Sequence, residues 1–434
     1  MRIERRFVCT DVKQNQNKFW NIIHDGLNIT TVWGRVGETG NETPFGPFAS
    51  EAAASKEFEK KIKQKLRKRG DQEPYREVDF VGEGEVAGQP ADLKIVAASQ
   101  IKTDCVETQR LIDYLVKVNV HQITSSTRIT YSAESGLFKT PVGIVSKKTV
   151  DDARICLTQI GDAIALRIKN GRGIPLENYT TLVENYLMLI PMDLGRRKLN
   201  LKTIFPDLKA VQQQNAILDS LEASIAAVEQ RPSKSSASDD LLSEKVFDCR
   251  IERVTDKAIQ EEVERLYGST KQARHESSHL RPVKVYTIVI AGMHEAFEPV
   301  AARLGNVNRY WHGTRASNLL SILRAGLIIP PKSASHCNGR LFGNGVYFSD
   351  QSTKSLNYAY GYWGGRSRDD NCFMLLADVA MGNMHRPRGR SGPFPKAGFD
   401  STFAEGNVAG VYNNEMIVYD VRQINLVYLV EFGK

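Results

Sequence analysis

The chain has 434 residues, 41% of them hydrophobic and 25% charged, with a formal net charge of +8. This composition is that of a soluble globular protein with roughly two to four domains. No apolar run reaches the length of a membrane span, and the initial MRIERRFVCT has no signal-peptide core, so the sequence predicts an intracellular protein without a membrane partner.

The cysteines are scattered along the chain and form no Cys-x-x-Cys pair. This spacing argues against a disulfide framework and against a zinc ribbon or finger, and it favours reduced, mostly buried thiols. No metal site is predicted. The six residues are Cys9, Cys105, Cys156, Cys249, Cys337 and Cys372.

Residues 1–70 hold 14 Lys and Arg against 8 Asp and Glu, so most of the excess positive charge lies here. Strand-like segments separated by glycine-rich turns come first. SEAAASKEFEKKIKQKLRKRG then predicts a helix with Ser50 as N-cap and Gly70 after its last turn. The basic run KKIKQKLRKRG favours a polyanionic partner, and a solvated helix face explains it equally well.

The middle of the chain is predicted to be a helical bundle between two linkers, residues 71–90 and 231–246. Apolar residues recur at three- and four-residue steps from Ser146 onward and indicate one buried stripe. They are Val150, Ala153, Leu157, Ile160, Ile164 and Ile168. Pro206 is predicted to open a further helix.

From about residue 247 the apolar period changes to two, which predicts an α+β domain with a sheet-dominated core. Within it, the three glycines of GRLFGNGVYFSD, residues 339–350, suggest either a dinucleotide-binding loop or an Asn-Gly hairpin. A dinucleotide loop needs a third glycine and a helix after it, whereas Gly345 precedes the strand formers Val346, Tyr347 and Phe348. The local sequence therefore favours the hairpin.

Three separated segments occur in order: YWHGTRASNLLSILRAGL from residue 310, GRLFGNGVYFSDQSTKSLNY from 339 and NNEMIVYD from 413. Together they resemble the catalytic domain of the poly(ADP-ribose) polymerases, whose His-Tyr-Glu set matches His312, Tyr347 and Glu415. On this resemblance the glycines are the tight turn into a strand that lines an NAD pocket.

The resemblance extends upstream over nearly the whole chain. WGRVG, residues 33–37, carries the tripeptide that gives the WGR domain its name, and TPVGIVSKKTVDDA and YLMLIPMDLGRRK resemble the helical regulatory domain of DNA-dependent members. The implied fold class is multidomain α+β: a small sheet-plus-helix WGR domain, an all-α bundle and a mixed antiparallel β-sheet transferase domain. The predicted ranges are 1–75 (WGR), 76–90 (linker), 91–230 (helical), 231–246 (linker) and 247–434 (catalytic).

The resemblance implies that NAD is a substrate and that no metal is needed. Cleavage of the nicotinamide–ribose bond develops positive charge on the ribose, as in glycoside hydrolysis. A carboxylate there stabilises that charge and can accept the proton of an attacking hydroxyl. Glu415 is the predicted carboxylate, although on its own it reads as a surface residue at a strand start.

The remaining NAD contacts are implied position by position. His312 is expected to donate to a ribose hydroxyl, and the backbone of Gly313 to pair with the nicotinamide amide, because a residue without Cβ lets the ligand approach closely. Ser355 offers its hydroxyl to the same amide, and Tyr347 and Tyr358 stack on the ring. The further members of the predicted NAD set are Thr314, Asn318 and Lys354.

The chain departs from the family pattern at three positions. Ile328 follows Gly326-Leu327 where an arginine is common, Ser321 stands where a glycine is expected, and Asn413 stands where a tyrosine often precedes the catalytic glutamate by two residues. The first two concern the adenine side of the NAD site. Asn413 concerns the acceptor side.

The WGR resemblance implies that DNA with strand breaks is a partner. Trp33 is expected to pack on a terminal nucleotide, Arg35 to contact backbone or a neighbouring domain, and Asn17-Lys18 to meet a terminal 5′ phosphate. Stacking on a positive surface suits an end that is bound without sequence readout. The alternative for Trp33 is a place in the core of the sheet.

The sequence thus predicts a DNA-break-stimulated ADP-ribosyltransferase that forms polymers on itself and on nearby proteins. The helical domain is expected to shield the NAD site until DNA binds. One rival is a mono-ADP-ribosyltransferase or NAD glycohydrolase, and the other is a catalytically silent DNA-end scaffold. The expected location is the nucleus in a eukaryote, or the cytoplasm and nucleoid if the chain is a bacterial homologue.

Overall fold

A computed structural model gives the fold in two units, residues 1–93 with 121–243 and residues 94–120 with 244–434. The structure describes residues 2–434 except 12–13, 15, 37, 39, 69–72, 79–92, 104, 133–136, 141–142, 171–173, 193–203, 230–245, 330–340, 363–367 and 370. Most of both predicted linkers, and also Gly37, Gly70, Cys337 and Gly339, lie outside the described residues.

The described helices are α1 (Glu51–Leu66), α2 (Leu93–Gln100), α3 (Val106–Ser126), α4 (Lys147–Asn170), α5 (Leu176–Leu189), α6 (Leu208–Glu229), α7 (Lys257–Thr270), α8 (Met293–Leu304), α9 (Ala316–Ala325) and α10 (Ser352–Tyr360). The described strands are β1 (Arg2–Asp11), β2 (Gln16–Asp25), β3 (Asn28–Arg35), β4 (Asn41–Phe45), β5 (Arg76–Glu77), β6 (Thr130–Ser132), β7 (Leu137–Thr140), β8 (Gly143–Ile144), β9 (Cys249–Arg253), β10 (Arg281–Ile290), β11 (Val307–Gly313), β12 (Val346–Phe348), β13 (Cys372–Ala380), β14 (Met384–His385), β15 (Ser401–Ala404), β16 (Glu415–Val418) and β17 (Ile424–Gly433).

The first unit begins with an antiparallel sheet of strand order β4-β3-β2-β1-β5, covered on one face by α1. Ser50 caps α1 as predicted, since its side chain accepts a hydrogen bond from the Ala53 amide at 3.1 Å. Phe58 and Ile62 of α1 pack on apolar side chains of the sheet. The last strand, β5, lies in the segment that the sequence predicts to be a linker. Two residues are too few to show a strand pattern, and β5 is a strand only through its pairing with β1.

The helices of this unit follow the predicted periodicity with two differences. The apolar stripe of α4 is buried from Val150 to Ile164, but Ile168 near its end is 65% exposed. Helix α6 begins at Leu208 and not at Pro206, and Asp207 accepts a hydrogen bond from the Ala210 amide at 2.9 Å. A three-stranded antiparallel sheet, β6-β7-β8, also lies in the segment predicted to be all-α, because strands of two to four residues are too short to show a period.

The second unit holds two sheets, with strand orders β11-β13-β17-β10-β9 and β12-β16-β15-β14. The first is antiparallel throughout, whereas β14 and β15 of the second are parallel. This confirms the predicted α+β class with a mixed sheet in the C-terminal part. The local hairpin interpretation of Gly343–Gly345 is wrong, because β12 pairs with β16, some seventy residues later in the chain.

The two sheets meet where β11 contacts the residue after β12. Trp311 and Ser349 exchange two backbone hydrogen bonds of 3.0 Å. Helix α10 crosses β11 at the same place: a Cβ on Gly313 would lie 1.7 Å from the carbonyl oxygen of Ser355. Since no side chain fits in that space, only glycine allows this crossing. The sequence reasoning attributed the glycine to ligand approach, but the missing Cβ faces the helix backbone.

We therefore expect Gly313→Ala to destabilise the protein by about 3 kcal/mol or more, because strand and helix must separate to admit the methyl group. Gly268→Ala in α7 is the matched control, since no atom lies within 4 Å of its added Cβ. The control should stabilise by up to about 1 kcal/mol through helix propensity. Urea unfolding followed by tryptophan fluorescence measures both, and equal stabilities of the two variants would contradict the crossing.

Candidate active site and nucleic-acid surface

Four chain segments bring the predicted catalytic and NAD-binding residues into one continuous set of contacts. Strand β11 supplies His312 and Gly313, β12 supplies Tyr347, α10 supplies Lys354, Ser355 and Tyr358, and β16 begins with Glu415. The crossing of α10 over β11 places Ser355 against Gly313, and the ion pair described next links α10 to β16. Residues as far apart in the sequence as His312 and Glu415 therefore share one site.

Glu415 and Lys354 form a buried ion pair. Lys354 Nζ lies 3.2 Å from Glu415 Oε1, and the two side chains are 8% and 11% exposed. The second carboxylate oxygen, Oε2, is buried and has no hydrogen-bond partner among the described residues. A buried polar atom without a partner is costly, and such atoms mark places where a ligand or substrate completes the hydrogen bonding. One oxygen is thus held by the lysine while the other is available to a hydroxyl.

His312 is held in one tautomer. Its Nδ1 lies 2.9 Å from the carbonyl oxygen of Tyr347, and because a carbonyl only accepts, Nδ1 carries the hydrogen. The ring also packs edge-on against Phe348, with centroids 5.6 Å apart. Burial, aided by the positive charge of Lys354, lowers the pKa of His312. The neutral ring therefore presents Nε2 as an acceptor, so a ribose hydroxyl would donate to it, the reverse of the direction expected from the sequence.

The groups predicted to hold the nicotinamide amide are oriented for that role. Ser355 Oγ donates to the Trp311 carbonyl at 3.0 Å, so its lone pairs are directed elsewhere and can accept from an amide N–H. The N–H and C=O of Trp311 point away from β13 toward Ser349. By the two-residue alternation of a strand, those of Gly313 point to the same edge.

Tyr347 and Tyr358, the two residues predicted to stack on the nicotinamide ring, differ in how they are held. The Tyr347 hydroxyl donates to the Gly343 carbonyl at 2.8 Å and accepts from the Phe342 amide at 3.0 Å, so the ring has a fixed orientation. Tyr358 as a residue is 40% exposed, and desolvation of its hydroxyl, together with the charge of Glu415, raises its pKa to about 12. Tyr358 therefore stays a neutral phenol next to the carboxylate.

The adenine-side candidates lie at the start of α9. Asn318 Nδ2 donates to Thr314 Oγ1 at 3.0 Å, and Asn318 Oδ1 is buried without a partner among the described residues. Ile328, which stands where an arginine is common, is 54% exposed. On the acceptor side, Asn413 Oδ1 accepts a hydrogen bond of 2.7 Å from Arg274.

Sequence reasoning missed the residue that anchors Glu415. Asn414 Nδ2 donates to Asp350 Oδ2 at 2.8 Å, Asn414 Oδ1 accepts from the Gly406 amide at 2.9 Å, and its carbonyl accepts from Ser349 Oγ at 3.3 Å. Asn414 is thus a positioning residue that ties the start of β16 to the segment after β12. Its only signal in the sequence is its place beside Glu415.

The predicted DNA-binding residues lie on the β2–β3 pair of the first unit. The register opposes Lys18 to Arg35 and Trp20 to Trp33, so all four side chains share the face that α1 partly covers. Trp33 is 46% exposed, which excludes the alternative that it belongs to the core. Asn17 does not join this surface: it is buried, and its Oδ1 accepts from Thr10 Oγ1 at 3.1 Å.

The basic end of α1 extends this surface. Lys65 Nζ lies 5.3 Å from the ring centroid of Trp20, the cross-strand partner of Trp33. Lys63 of α1 and Lys68, two residues after the end of α1, are also exposed. An exposed tryptophan bordered by basic side chains is suited to stacking on a base while phosphates are neutralised.

The described residues show no sign of a metal site, a membrane-spanning helix or a disulfide. No group of three or more His, Cys, Asp or Glu is arranged there to hold a metal ion. None of the described helices is long and apolar enough to cross a membrane. None of the five described cysteines is part of a disulfide, and Cys9, Cys249 and Cys372 are buried.

Comparison with known proteins identifies two domains. Residues 3–74 match the WGR domain, and residues 259–390 match the poly(ADP-ribose) polymerase catalytic domain. The second match includes His312 and Tyr347 but ends before Glu415. A match to a domain does not test what single residues do, so their roles stay predictions.

Curated relatives are similar over most of the chain. Poly [ADP-ribose] polymerase 1 of Danio rerio is 26% identical over 96% of this chain and 42% of its own length, and the Xenopus laevis protein of the same name is 27% identical over 74% of this chain and 34% of its own. Poly [ADP-ribose] polymerase 2-A of Oryza sativa is 26% identical over 97% of this chain and 68% of its own length. This chain thus spans between a third and a half of the length of these polymerase 1 relatives.

Removing one partner of the Lys354–Glu415 ion pair should lower the free energy of unfolding. We expect Lys354→Met to destabilise the protein by about 3 kcal/mol, because it leaves a buried carboxylate unpaired, and Lys354→Met/Glu415→Gln to recover most of that loss. Lys147→Met is the control: its ion pair with Asp151 is exposed, at 58% and 49%, and should contribute about 0.5 kcal/mol or less. Urea unfolding measures all three. A double variant no more stable than Lys354→Met would show that the pair is not energetically coupled.

Proposed function

We propose that this chain, which contains a WGR domain and the catalytic domain of a poly(ADP-ribose) polymerase, is a DNA-break-stimulated, NAD-dependent poly(ADP-ribosyl)transferase. It transfers ADP-ribose to itself and to nearby proteins and releases nicotinamide. The observation that carries the proposal is the buried Glu415 carboxylate, with one oxygen held by Lys354 and the other without a partner among the described residues. Its strand, β16, pairs with β12, the strand that carries Tyr347.

The chemistry follows from that arrangement. Gly313 and Ser355 hold the carboxamide, and Tyr347 and Tyr358 flank the ring, so the nicotinamide is oriented as the leaving group. The bond between the ribose C1′ and the pyridinium nitrogen breaks, and nicotinamide leaves as a neutral molecule. Positive charge develops on the ribose next to the negative carboxylate of Glu415. An acceptor oxygen bonds to C1′, and its proton passes to Glu415 Oε2.

DNA recognition is assigned to the surface of Lys18, Trp33, Arg35 and the basic end of α1. Its chemistry supports binding of a DNA end in which the terminal base stacks on Trp33 and phosphates contact the cations. Asn17 is buried and does not offer its side chain to the phosphate, whereas the ammonium group of its neighbour Lys18 donates to Gln16 Oε1 at 3.1 Å. The protein is accordingly expected to be intracellular and associated with DNA.

Coupling between DNA binding and catalysis is assigned to the predicted helical domain, residues 91–230. Helix α3 supports it, since the helix contributes residues to both units. In the second unit, Asn119 is fully buried and donates to the Ser317 carbonyl at 3.1 Å, between Thr314 and Asn318 of the predicted NAD set. A change in α3 would thus reach the adenine side of the site. The DNA dependence of labelling, described below, tests this coupling.

One observation favours transfer of a single ADP-ribose unit over formation of a polymer. Asn413 is bonded to Arg274 on the acceptor side of Glu415, where a tyrosine is common in the family. A mono-ADP-ribosyltransferase is therefore the second candidate, and the size of the labelled product separates it from the first.

The central prediction concerns labelled NAD. Purified protein with a short duplex that carries a 5′-phosphorylated break should give a smear of label above its own band. Label should be weak without DNA, and Glu415→Gln should lower the rate by about 100-fold or more, because the general base is lost. Glu405→Gln, an exposed carboxylate in the same domain, is the control and should label normally.

Each other result has a definite meaning. A single sharp DNA-dependent band would favour mono-transfer. Equal labelling with and without DNA would contradict DNA stimulation. No label under any condition, with DNA still bound, would leave a silent DNA-end scaffold.

The DNA surface makes a separate prediction. Trp33→Ala should weaken binding of a labelled duplex with a 5′-phosphate end by about tenfold or more, because one base–aromatic stack contributes roughly 1–3 kcal/mol. Leu27→Ala removes an apolar side chain of similar exposure, 41% against 46%, at the β2–β3 turn, which is the end of the hairpin away from Lys18 and Arg35, and should bind normally. Fluorescence polarisation at fixed salt gives the affinities, and an unchanged affinity of Trp33→Ala would exclude stacking at this residue.

A further inference from the structure

A basic segment of the catalytic unit has no role in the chemistry described so far. Between Met384 and Phe399 the chain carries Arg386, Arg388, Arg390 and Lys396 and no acidic residue. All four cations are exposed, and none of them has a carboxylate within salt-bridge distance among the described residues. We call residues 386–396 the basic strip. Four cations without counter-charges in eleven residues form a local field that attracts a polyanion.

The basic strip is attached to the turn that holds Tyr347. The Phe394 ring packs edge-on against Phe342, with centroids 5.4 Å apart, and the backbone of Phe394 lies within 2.9 Å of where a Cβ of Gly343 would be. Phe342 and Gly343 are the two residues whose backbone groups bind the Tyr347 hydroxyl. Phe394, near the end of the strip, thus lies against the turn that forms one wall of the predicted nicotinamide pocket.

The strip is attached on its other side to the loop that leads to Glu415. The Arg390 guanidinium donates to the Gly410 carbonyl. Gly410 lies in the loop of residues 405–414, which Asn414 ties down directly before Glu415. Arg390 therefore has a structural task, whereas Arg388 and Lys396 keep their charges available to a ligand.

Arg386 connects the strip with the histidine side of the site. Its guanidinium lies over the Phe403 ring, 4.3 Å from the centroid, and its charge acts on the Tyr310 hydroxyl, where it opposes the rise in pKa that burial causes. Tyr310 is two residues before His312 on β11. In the second sheet β14 is two strands from β16, so the strip begins about 10 Å from the strand of Glu415.

Two exposed aromatic rings accompany these cations. Tyr412, in the loop that Arg390 holds, is 82% exposed, and Phe399, at the end of the basic segment, is 36% exposed. Exposed rings beside phosphate-binding cations are the means by which proteins hold single-stranded nucleotide chains, since each adenine offers a face for stacking.

From these observations we infer that the basic strip, with Tyr412, binds the growing ADP-ribose chain as it leaves the catalytic site. Its ligand is an oligomer of ADP-ribose, with two negative charges per pyrophosphate and one adenine per unit. This inference rests on the proposed polymer-forming function. The attachment of the strip to both the Tyr347 turn and the Glu415 loop favours the acceptor chain over DNA, for which the Trp33 surface is assigned.

The test is direct binding of a purified, end-labelled ADP-ribose oligomer of defined length to the full chain without NAD. The variant is Arg388→Gln/Lys396→Gln, which spares the tethering Arg390 and the stacked Arg386. The control is Lys257→Gln/Arg265→Gln, which removes the same charge from exposed positions of α7. We expect the affinity to fall by about tenfold in the strip variant only, and the slope of log affinity against log salt to lessen by about 1.4.

The outcomes are distinct from those of the labelling experiment because the oligomer is supplied and not synthesised. An equal loss in the control variant, or no loss in the strip variant, overturns the inference. A strip variant that keeps its oligomer affinity but loses affinity for duplex DNA would assign the surface to nucleic acid instead. Thermal unfolding of both variants confirms that folding is unchanged. If the oligomer binds as expected while no condition yields product, the proposed function fails alone.

Discussion

The close crossing of β11 by α10 is the constraint on which the catalytic unit depends. A strand and a helix approach at Gly313 until a carbonyl oxygen occupies the place of a Cβ. The crossing sets the position of the helix that carries Lys354, Ser355 and Tyr358 relative to the strand that carries His312. Because the contact is between backbones, it cannot adapt by rotation of a side chain, so the positions of these groups are defined to within a small tolerance.

The electrostatics of the site follow from this geometry. Lys354 is buried at a place where only a carboxylate can balance its charge, and Glu415 enters from β16 to do so. The pair uses one carboxylate oxygen and leaves the other within the site, where a substrate hydroxyl can complete its hydrogen bonding. Burial also lowers the pKa of His312, and the Tyr347 carbonyl selects its tautomer. The site is thus a set of donors and acceptors held in fixed directions, which is what stabilisation of a charged transition state requires.

The strands and loops around the site are held by partners that lie far away in the sequence. Strand β12 has no local partner among the described strands and is held by β16 and by the Trp311–Ser349 bridge. Asn414 then ties the start of β16 back to Asp350. The basic strip continues this pattern, since Phe394 packs on the turn before β12 and Arg390 holds the loop before β16. Surface charge and catalytic geometry are therefore linked through the same two loops.

The sequence by itself determined the α+β class, the basic N-terminal domain with its capped helix, and the order of the His312, Tyr347 and Glu415 segments, because periodicity, capping and motif spacing are local properties. It predicted an exposed, DNA-contacting role for Trp33 and left a place in the core of the sheet as the alternative. Only the tertiary structure decided that Trp33 is exposed, that Asn17 is buried, that β12 pairs with β16 and not in a local hairpin, and that Gly313 serves a backbone crossing. It alone revealed Asn414 as the anchor of Glu415. The physical reason is common to these cases: burial, ion pairing and strand pairing depend on residues tens to hundreds of positions away, and no local pattern records which of them will meet.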